Sequence, residues 1–480
     1  MMVLCNFWFA SLAFGISQVA HGCRMMLLPS GRGLEGLEVM KSARGMAVGV
    51  LVLVGGLSGP ALGQSASEAD QKAVGQKNES VRKQKEGLLP PKEALEQKDT
   101  DIAPDAYQPK GVDLGAFLLM PKMELDVARN SNIYATNYDA KHDIISTYRP
   151  ELALNSRFDR HAINALGRVE RKEFVTFDKE SVTNGLAQLS GRYDVTDRDA
   201  LNASLTYTHD HEDRGSFDDA GGLRPTEFHY LTLNGSGAFS IGNLTSSLGV
   251  TAVKRDWEDT RTSAGITPSH FRNRNELDVT LRESYEFIPG YSWVNEGTLL
   301  WRVYQHDADQ FGIGRDSSGL RLGTGIGLDI SELVRGDFLA GYMRQNYKDE
   351  RLSDPSGYYV KARLNWSPSK LTTIIPTLER SIEETTANNV SALIRTAVSV
   401  TVRHELQRNL ILGSTLSYSR DEQKGGNLEA DTYEGVVRAT YLFNRNLYSS
   451  LELGEKHKLT NVDGNGFNQT TAMLRLGLQY

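Results

Sequence analysis

The last stretch of the chain sets Leu474, Leu476 and Leu478 in alternation with Arg475, Gly477 and Gln479, and then stops on Tyr480. A period of two puts apolar side chains on one face of a strand and polar ones on the other. The rhythm recurs upstream. Leu201, Ala203, Leu205 and Tyr207 oppose Asn202, Ser204 and Thr206. Leu277, Val279, Leu281, Tyr285 and Phe287 oppose Asp278, Thr280, Arg282 and Glu286. Tyr358, Val360, Ala362, Leu364 and Trp366 oppose Lys361, Arg363 and Asn365, while Tyr433, Val437, Ala439, Tyr441 and Phe443 oppose Glu434, Arg438 and Thr440. A soluble sandwich alternates as well. These strands run long, however, and carry aromatics near their ends at Tyr193, Tyr207, Phe287, Trp366, Phe443 and Tyr480. A membrane barrel places its interfacial girdles there.

The connections add a second signal. Tight polar links stand at Asp159-Arg160, Thr196-Asp197-Arg198, Gly242-Asn243, Pro289-Gly290, Pro368-Ser369, Gln407-Arg408-Asn409 and Asn444-Arg445-Asn446, with a looser one at Ser331 to Gly336. Long links fall between them, at Asp210 to Thr226, Glu258 to His270, Asp307 to Asp316, Lys348 to Ser356 and Asp421 to Asn427. Short periplasmic turns alternating with long extracellular loops belong to outer-membrane barrels. Residues 111–480 are therefore predicted to form an all-β, transmembrane, antiparallel up-and-down β-barrel of about 18 strands, with both termini in the periplasm. Pro150 and Pro376 fall inside predicted strands, where a closed barrel offers no edge. Bulges are the expected accommodation.

Composition alters this picture little. Hydrophobic residues make up 39% of the 480, below the roughly 45–50% of an average globular chain. A barrel tolerates this, because only every second strand residue faces lipid. Beyond residue 65 there is no apolar run of the length a membrane helix needs. The net charge of −7, with acids and bases interspersed, argues against a nucleic-acid partner.

The N-terminal region reads as targeting sequence. In residues 40–63, Lys41 and Arg44 precede the apolar Met46–Leu57, and Ala61-Leu62-Gly63 offers a small-residue cleavage site, so a signal peptide is predicted. Residues 1–39 are then an upstream extension or a mis-assigned start, with Met40 as the alternative first residue, unless Met1 to Ala20 is itself an apolar targeting stretch. Residues 64–110, rich in Lys, Glu, Gln, Ala and Pro, are predicted to be a disordered periplasmic tail. Cys5 and Cys23 both fall upstream of the predicted mature chain, so no disulfide is expected. Ala20-His21-Gly22 before Cys23 is a poor lipidation signal.

Candidate chemistry is sparse. His209-Asp210-His211-Glu212-Asp213 concentrates potential ligands, and alternation points His209 and His211 to the same side. The plainer reading is a solvated loop tip, and no metal or cofactor is assigned. The other histidines, His142, His161, His229, His270, His306, His404 and His457, lie on different predicted hairpins, and no nucleophile elbow or zinc-protease motif stands out. No enzyme activity is expected. Charges on the polar strand faces should line the lumen, since each midplane Arg or Lys facing lipid would cost about 2–4 kcal/mol. The expected lumen-lining set is Arg168, Arg282, Glu296, Arg302, Lys361, Arg363, Glu379, Arg395, Glu434, Arg438 and Arg475. Salt bridges that stiffen the wall and bind nothing are the plainer reading of the same residues.

Several stretches resemble the bacterial outer-membrane proteins called putative β-barrel porin 2. They are Pro121 followed by Asn130-Ser131-Asn132-Ile133-Tyr134, Arg214-Gly215-Ser216 with Pro225-Thr226-Glu227-Phe228, Arg274-Asn275-Glu276, and Leu371-Thr372-Thr373 leading to Glu379-Arg380-Ser381-Ile382-Glu383-Glu384-Thr385. The resemblance covers residues 111–480. It implies an outer-membrane barrel in contact with lipid, no enzyme activity and no established site residues. Members often accompany exopolysaccharide-production genes. The expected function is thus a channel for hydrophilic solute or polymer, linked to exopolysaccharide export, with exopolysaccharide and periplasmic export components as partners. The alternatives are a general or nutrient-uptake porin and a plugged structural or adhesive barrel.

Overall fold

The computed structural model describes residues 107–330 and 333–480. The readings of 1–39, of 40–63 and of the tail up to residue 106 lie outside the described residues. A two-residue strand β1 (Val112–Asp113) leads into β2 (Phe117–Asn130), β3 (Asp143–Ser156), β4 (Ala162–Phe174), β5 (Val182–Asp194), β6 (Ala200–His211), β7 (Glu227–Ile241) and β8 (Leu244–Trp257). A small hairpin, β9 (Thr260–Thr262) and β10 (Gly265–Thr267), interrupts the series. It resumes with β11 (Arg274–Ile288), β12 (Tyr291–Tyr304), β13 (Ser317–Ile330), β14 (Val334–Tyr347), β15 (Ser356–Ser369), β16 (Thr372–Glu384) and β17 (Ala392–Gln407). It ends with β18 (Leu410–Lys424), β19 (Glu429–Leu442), β20 (Leu447–Thr460) and β21 (Phe467–Gln479).

Apart from β1 and the β9–β10 hairpin, these are 18 long strands, each antiparallel to its neighbours. The ring closes where β2 meets β21, from Lys122↔Gln479 to Asn130↔Thr471. Among the described residues every long strand is thus paired on both sides over its central span, the condition for crossing hydrocarbon without losing backbone hydrogen bonds. Short turns gather at the end that carries both barrel termini. Gly242-Asn243 makes one of two residues, and Gly242 adopts φ +60°, a left-handed conformation suited to glycine. The opposite end carries the longer links, here L1 (131–142), L2 (175–181), L3 (212–226), L4 (258–273), L5 (305–316), L6 (348–355) and L7 (385–391).

The outer face is apolar and the inner face polar. Leu201, Leu205, Leu231, Leu233, Leu281, Leu299, Leu451 and Leu474 are all exposed on the outside. The outer aromatics Tyr193, Phe287, Trp366, Phe443 and Tyr480 cluster at the turn end, with Tyr207, Tyr342, Tyr358 and Tyr433 toward the loop end. These are the two girdles of a membrane barrel. Replacing Leu205 by arginine is expected to cost about 2–4 kcal/mol in urea unfolding from lipid vesicles, whereas Leu205→Met stays near neutral.

Three local readings change. Strand β15 runs through Pro368-Ser369, and the turn follows at residues 370–371. Strand β14 begins at Val334, inside the predicted Ser331–Gly336 link. Strand β18 continues through Asp421-Glu422-Gln423-Lys424, a charged run whose pattern resembles a loop. Its charges are held across strands, Arg395 to Asp421 at 3.4 Å and Arg420 to Glu429 at 2.5 Å.

The prolines are accommodated without the expected bulges. Pro150 pairs with Met123 on one side, while the ladder to β4 skips from Tyr148↔Arg171 to Glu151↔Arg168 in unchanged register. Pro376 pairs with Val400, while the ladder to β15 skips from Arg363↔Thr377 to Trp366↔Ile374, again in register. Each proline lacks one donor, so one ladder is interrupted and the other holds the strand in place.

Candidate functional site

The inner face is a lattice of paired charges. Arg282 reaches Glu296 at 3.0 Å and Asp337 at 2.5 Å, and Lys361 meets the same Glu296 at 3.3 Å. Arg302 meets Asp278 at 2.5 Å. Arg168 faces Glu151 at 3.7 Å, Arg395 faces Asp421, and Glu434 faces Lys456 at 3.4 Å. Arg438 donates from Nε to Glu452 at 2.7 Å, and Arg475 donates to both Asp126 oxygens at 2.7 and 2.8 Å. Glu379 stands opposite Lys361 in the β15–β16 register, and Arg363 opposite Thr377. The polar positions of different hairpins thus become cross-strand neighbours.

Sequence reasoning missed the densest node. Arg149 joins Glu124 at 2.7 Å, Asp126 at 3.3 Å and Glu170 at 2.5 Å, and Tyr448 donates to Glu124 at 2.5 Å. The signal was present, since Glu124 and Asp126 alternate with Met123, Leu125 and Val127.

The loop end of the bore is bridged. L3 leans inward and is held on several sides. Arg214 forks onto Glu180 of L2 at 2.9 and 2.7 Å, both side chains being buried. Burial opposes the charge on Arg214, but the Glu180 hydrogen bonds and charge outweigh it and raise the guanidinium pKa above its usual value. Arg272 of L4 forks onto Glu212, with one bond at 2.9 Å. Gly215, at φ +75°, lies where a Cβ would come within 2.7 Å of Ala135 in L1 and 3.0 Å of Phe467 on β21. Only glycine fits there. Lys458 of β20 donates to the Gly215 carbonyl at 2.8 Å and lies 4.6 Å from the Phe217 ring. Finally, Asp218 accepts from Thr385 Oγ1 at 2.9 Å and from the Thr386 amide at 3.3 Å. L3 follows β6 and L7 follows β16, so this contact crosses between well-separated parts of the wall.

L7 is itself folded inward. The β15–β16 ladder ends at Val360↔Arg380, while β16–β17 pairing continues to Glu384↔Ala392. Above that opening, Ile382 and Ile394 pack on Met343 and Tyr359 from the inner face of β14 and β15. Tyr304 donates to Glu384 at 2.9 Å, and Tyr347 to the Ser391 carbonyl at 2.7 Å. Arg315 of L5, 1% exposed, fixes the tip. It donates to Asp309 at 2.7 Å and to the carbonyls of Thr385, Ala387 and Val390 at 2.7, 2.9 and 2.9 Å.

The ligand-rich run does not assemble as one cluster. His209 contacts His229, whereas His211 Nδ1 meets Asn184 at 2.9 Å. Among the described residues, no group of three or more His, Cys, Asp or Glu side chains converges on a metal-sized site.

A family model described as Putative beta-barrel porin 2 matches residues 104–480. No curated protein matches the chain. Among solved structures, the siderophore receptor PiuA of Acinetobacter baumannii is similar at 9% identity and a TM-score of 0.44, covering 77% of this chain and 82% of that one. OpdL of Pseudomonas aeruginosa is similar at 11% identity and 0.39, covering 76% and 99%. The copper transporter OprC is similar at 8% identity and 0.43, covering 77% and 81%.

Proposed function

Because the chain belongs to the putative β-barrel porin 2 family, whose place is the bacterial outer membrane, we propose that it is the outer-membrane conduit of an exopolysaccharide-export pathway. It passes hydrophilic polymer or solute through a bore that the L3 bridge narrows. The observation that carries this reading is the inner lattice of compensated charge, typified by Arg282 between Glu296 and Asp337. Such a wall keeps its water while presenting little net sign to a solute, which suits a saccharide better than a selected ion. The export link is drawn from the genes that accompany the family. No catalytic step is assigned to the chain.

Deleting the gene is expected to lower secreted polysaccharide, with recovery on complementation. Unchanged secretion, together with swelling of protein-loaded liposomes in small sugars, would assign a general uptake porin instead. The bridged mouth favours a third reading, a plugged structural or adhesive barrel, which the absence of both effects would support.

A further inference from the structure

His209 on β6 and His229 on β7 are direct cross-strand partners. Their rings stack at 4.6 Å between centroids, and their Nδ1 atoms face each other at 3.2 Å. The flanking side chains form a pattern. Glu258 lies 3.3 Å from Nε2 of His229, and Glu227 lies 3.6 Å from Nε2 of His209. The Tyr207 hydroxyl lies 2.9 Å from Nδ1 of His229. Tyr207 and Glu258 are exposed and His209, His229 and Glu227 half-buried, at the loop end of the outer face.

We infer that His209 and His229 form a binding site for a transition-metal dication, such as Zn²⁺ or Cu²⁺, held between their two Nδ1 atoms. The geometry is suitable. Metal–nitrogen bonds of about 2.0–2.1 Å, set against the observed separation, give an N–metal–N angle of about 100–105°, near tetrahedral. The Glu258 carboxylate, accepting from Nε2 of His229 at 3.3 Å, favours the tautomer that leaves a lone pair on Nδ1 of that ring, the usual outer support of a metal-bound imidazole. Tyr207 and water complete the coordination. The site staples the two strands that L3 joins.

Calorimetric titration of the full-length protein in detergent with Zn²⁺ tests the assignment. Saturable 1:1 binding is expected, lost in His209→Ala and in His229→Ala, weakened about tenfold in Glu258→Gln, and unchanged in His211→Ala. Heat-modifiable gel migration confirms that each variant is folded. With Cu²⁺, electron paramagnetic resonance is expected to show two equivalent nitrogens. Binding that survives loss of both His209 and His229, or that depends on His211, overturns the assignment, as does the absence of saturable binding to the wild type.

Discussion

Replacing Arg315 by methionine is expected to free L7 from its inward position and to lower stability by about 3–5 kcal/mol, the cost of leaving a buried partner without its counter-charge. The guanidinium serves one carboxylate and three carbonyls at once, at 2.7 to 2.9 Å. Methionine fills a similar volume and serves none of them. Lysine keeps the charge but lacks the planar fork, so Arg315→Lys should fall between the two. Urea unfolding in lipid vesicles reads the loss. Added protease should cut the methionine variant in L5 or L7 while its barrel still migrates as a folded species. An Arg315→Met protein with wild-type stability and intact loops would show that the buried network holds nothing in place.

Releasing L3 has the second large effect, and magnitudes decide how many contacts must go. Hydrogen bonds to charged groups each contribute about 1.5–3 kcal/mol. Moving a two-state element from almost wholly closed to almost wholly open requires about 5.5 kcal/mol. Losing either Asp218 or Lys458 alone should therefore leave L3 mostly across the mouth, with brief openings. Removing both, as Asp218→Ala with Lys458→Met, approaches the required shift. The Arg214–Glu180 fork still anchors the base of the loop. Planar-bilayer recordings are expected to show small wild-type conductance, flickering in each single variant, and sustained larger steps in the double variant. Equal conductance in all four proteins would remove L3 from any role in closing the bore.

The barrel itself was legible because its two solvents write a period-two code into every strand. Leu201, Leu205 and Tyr207 face one way because hydrocarbon lies there, and Arg282, Glu296 and Arg302 face the other. The turn residues gave the hairpin rhythm for a similarly local reason. What stayed illegible depends on closure. Thr385 meets Asp218 only because a ring brings residues 167 positions apart to one mouth. In sequence, an acid within a polar loop looks merely solvated. Arg315 hides in the same way, since a polar loop gives no hint that a cation there will be 1% exposed. The Asp421–Lys424 run reads as a loop in sequence because its charge density matches that of a turn, although strand ends above the membrane can be charged on both faces. The partner of His209 is His229, set by cross-strand register, and not His211, the neighbour that alternation suggests.

The most direct test of a wet bore inside a lipid-facing wall uses single cysteines. Both native cysteines, Cys5 and Cys23, lie upstream of the described residues, so a protein starting beyond them has no background thiol. Arg321→Cys, which alternates with the outward-exposed Leu322 on β13 and so faces the bore, and Lys361→Cys should react in proteoliposomes with a water-soluble maleimide. Leu205→Cys and Leu281→Cys should resist it and accept only a lipid-soluble one. Rapid water-soluble labelling at 205 and 281, with protection at 321 and 361, would contradict the account.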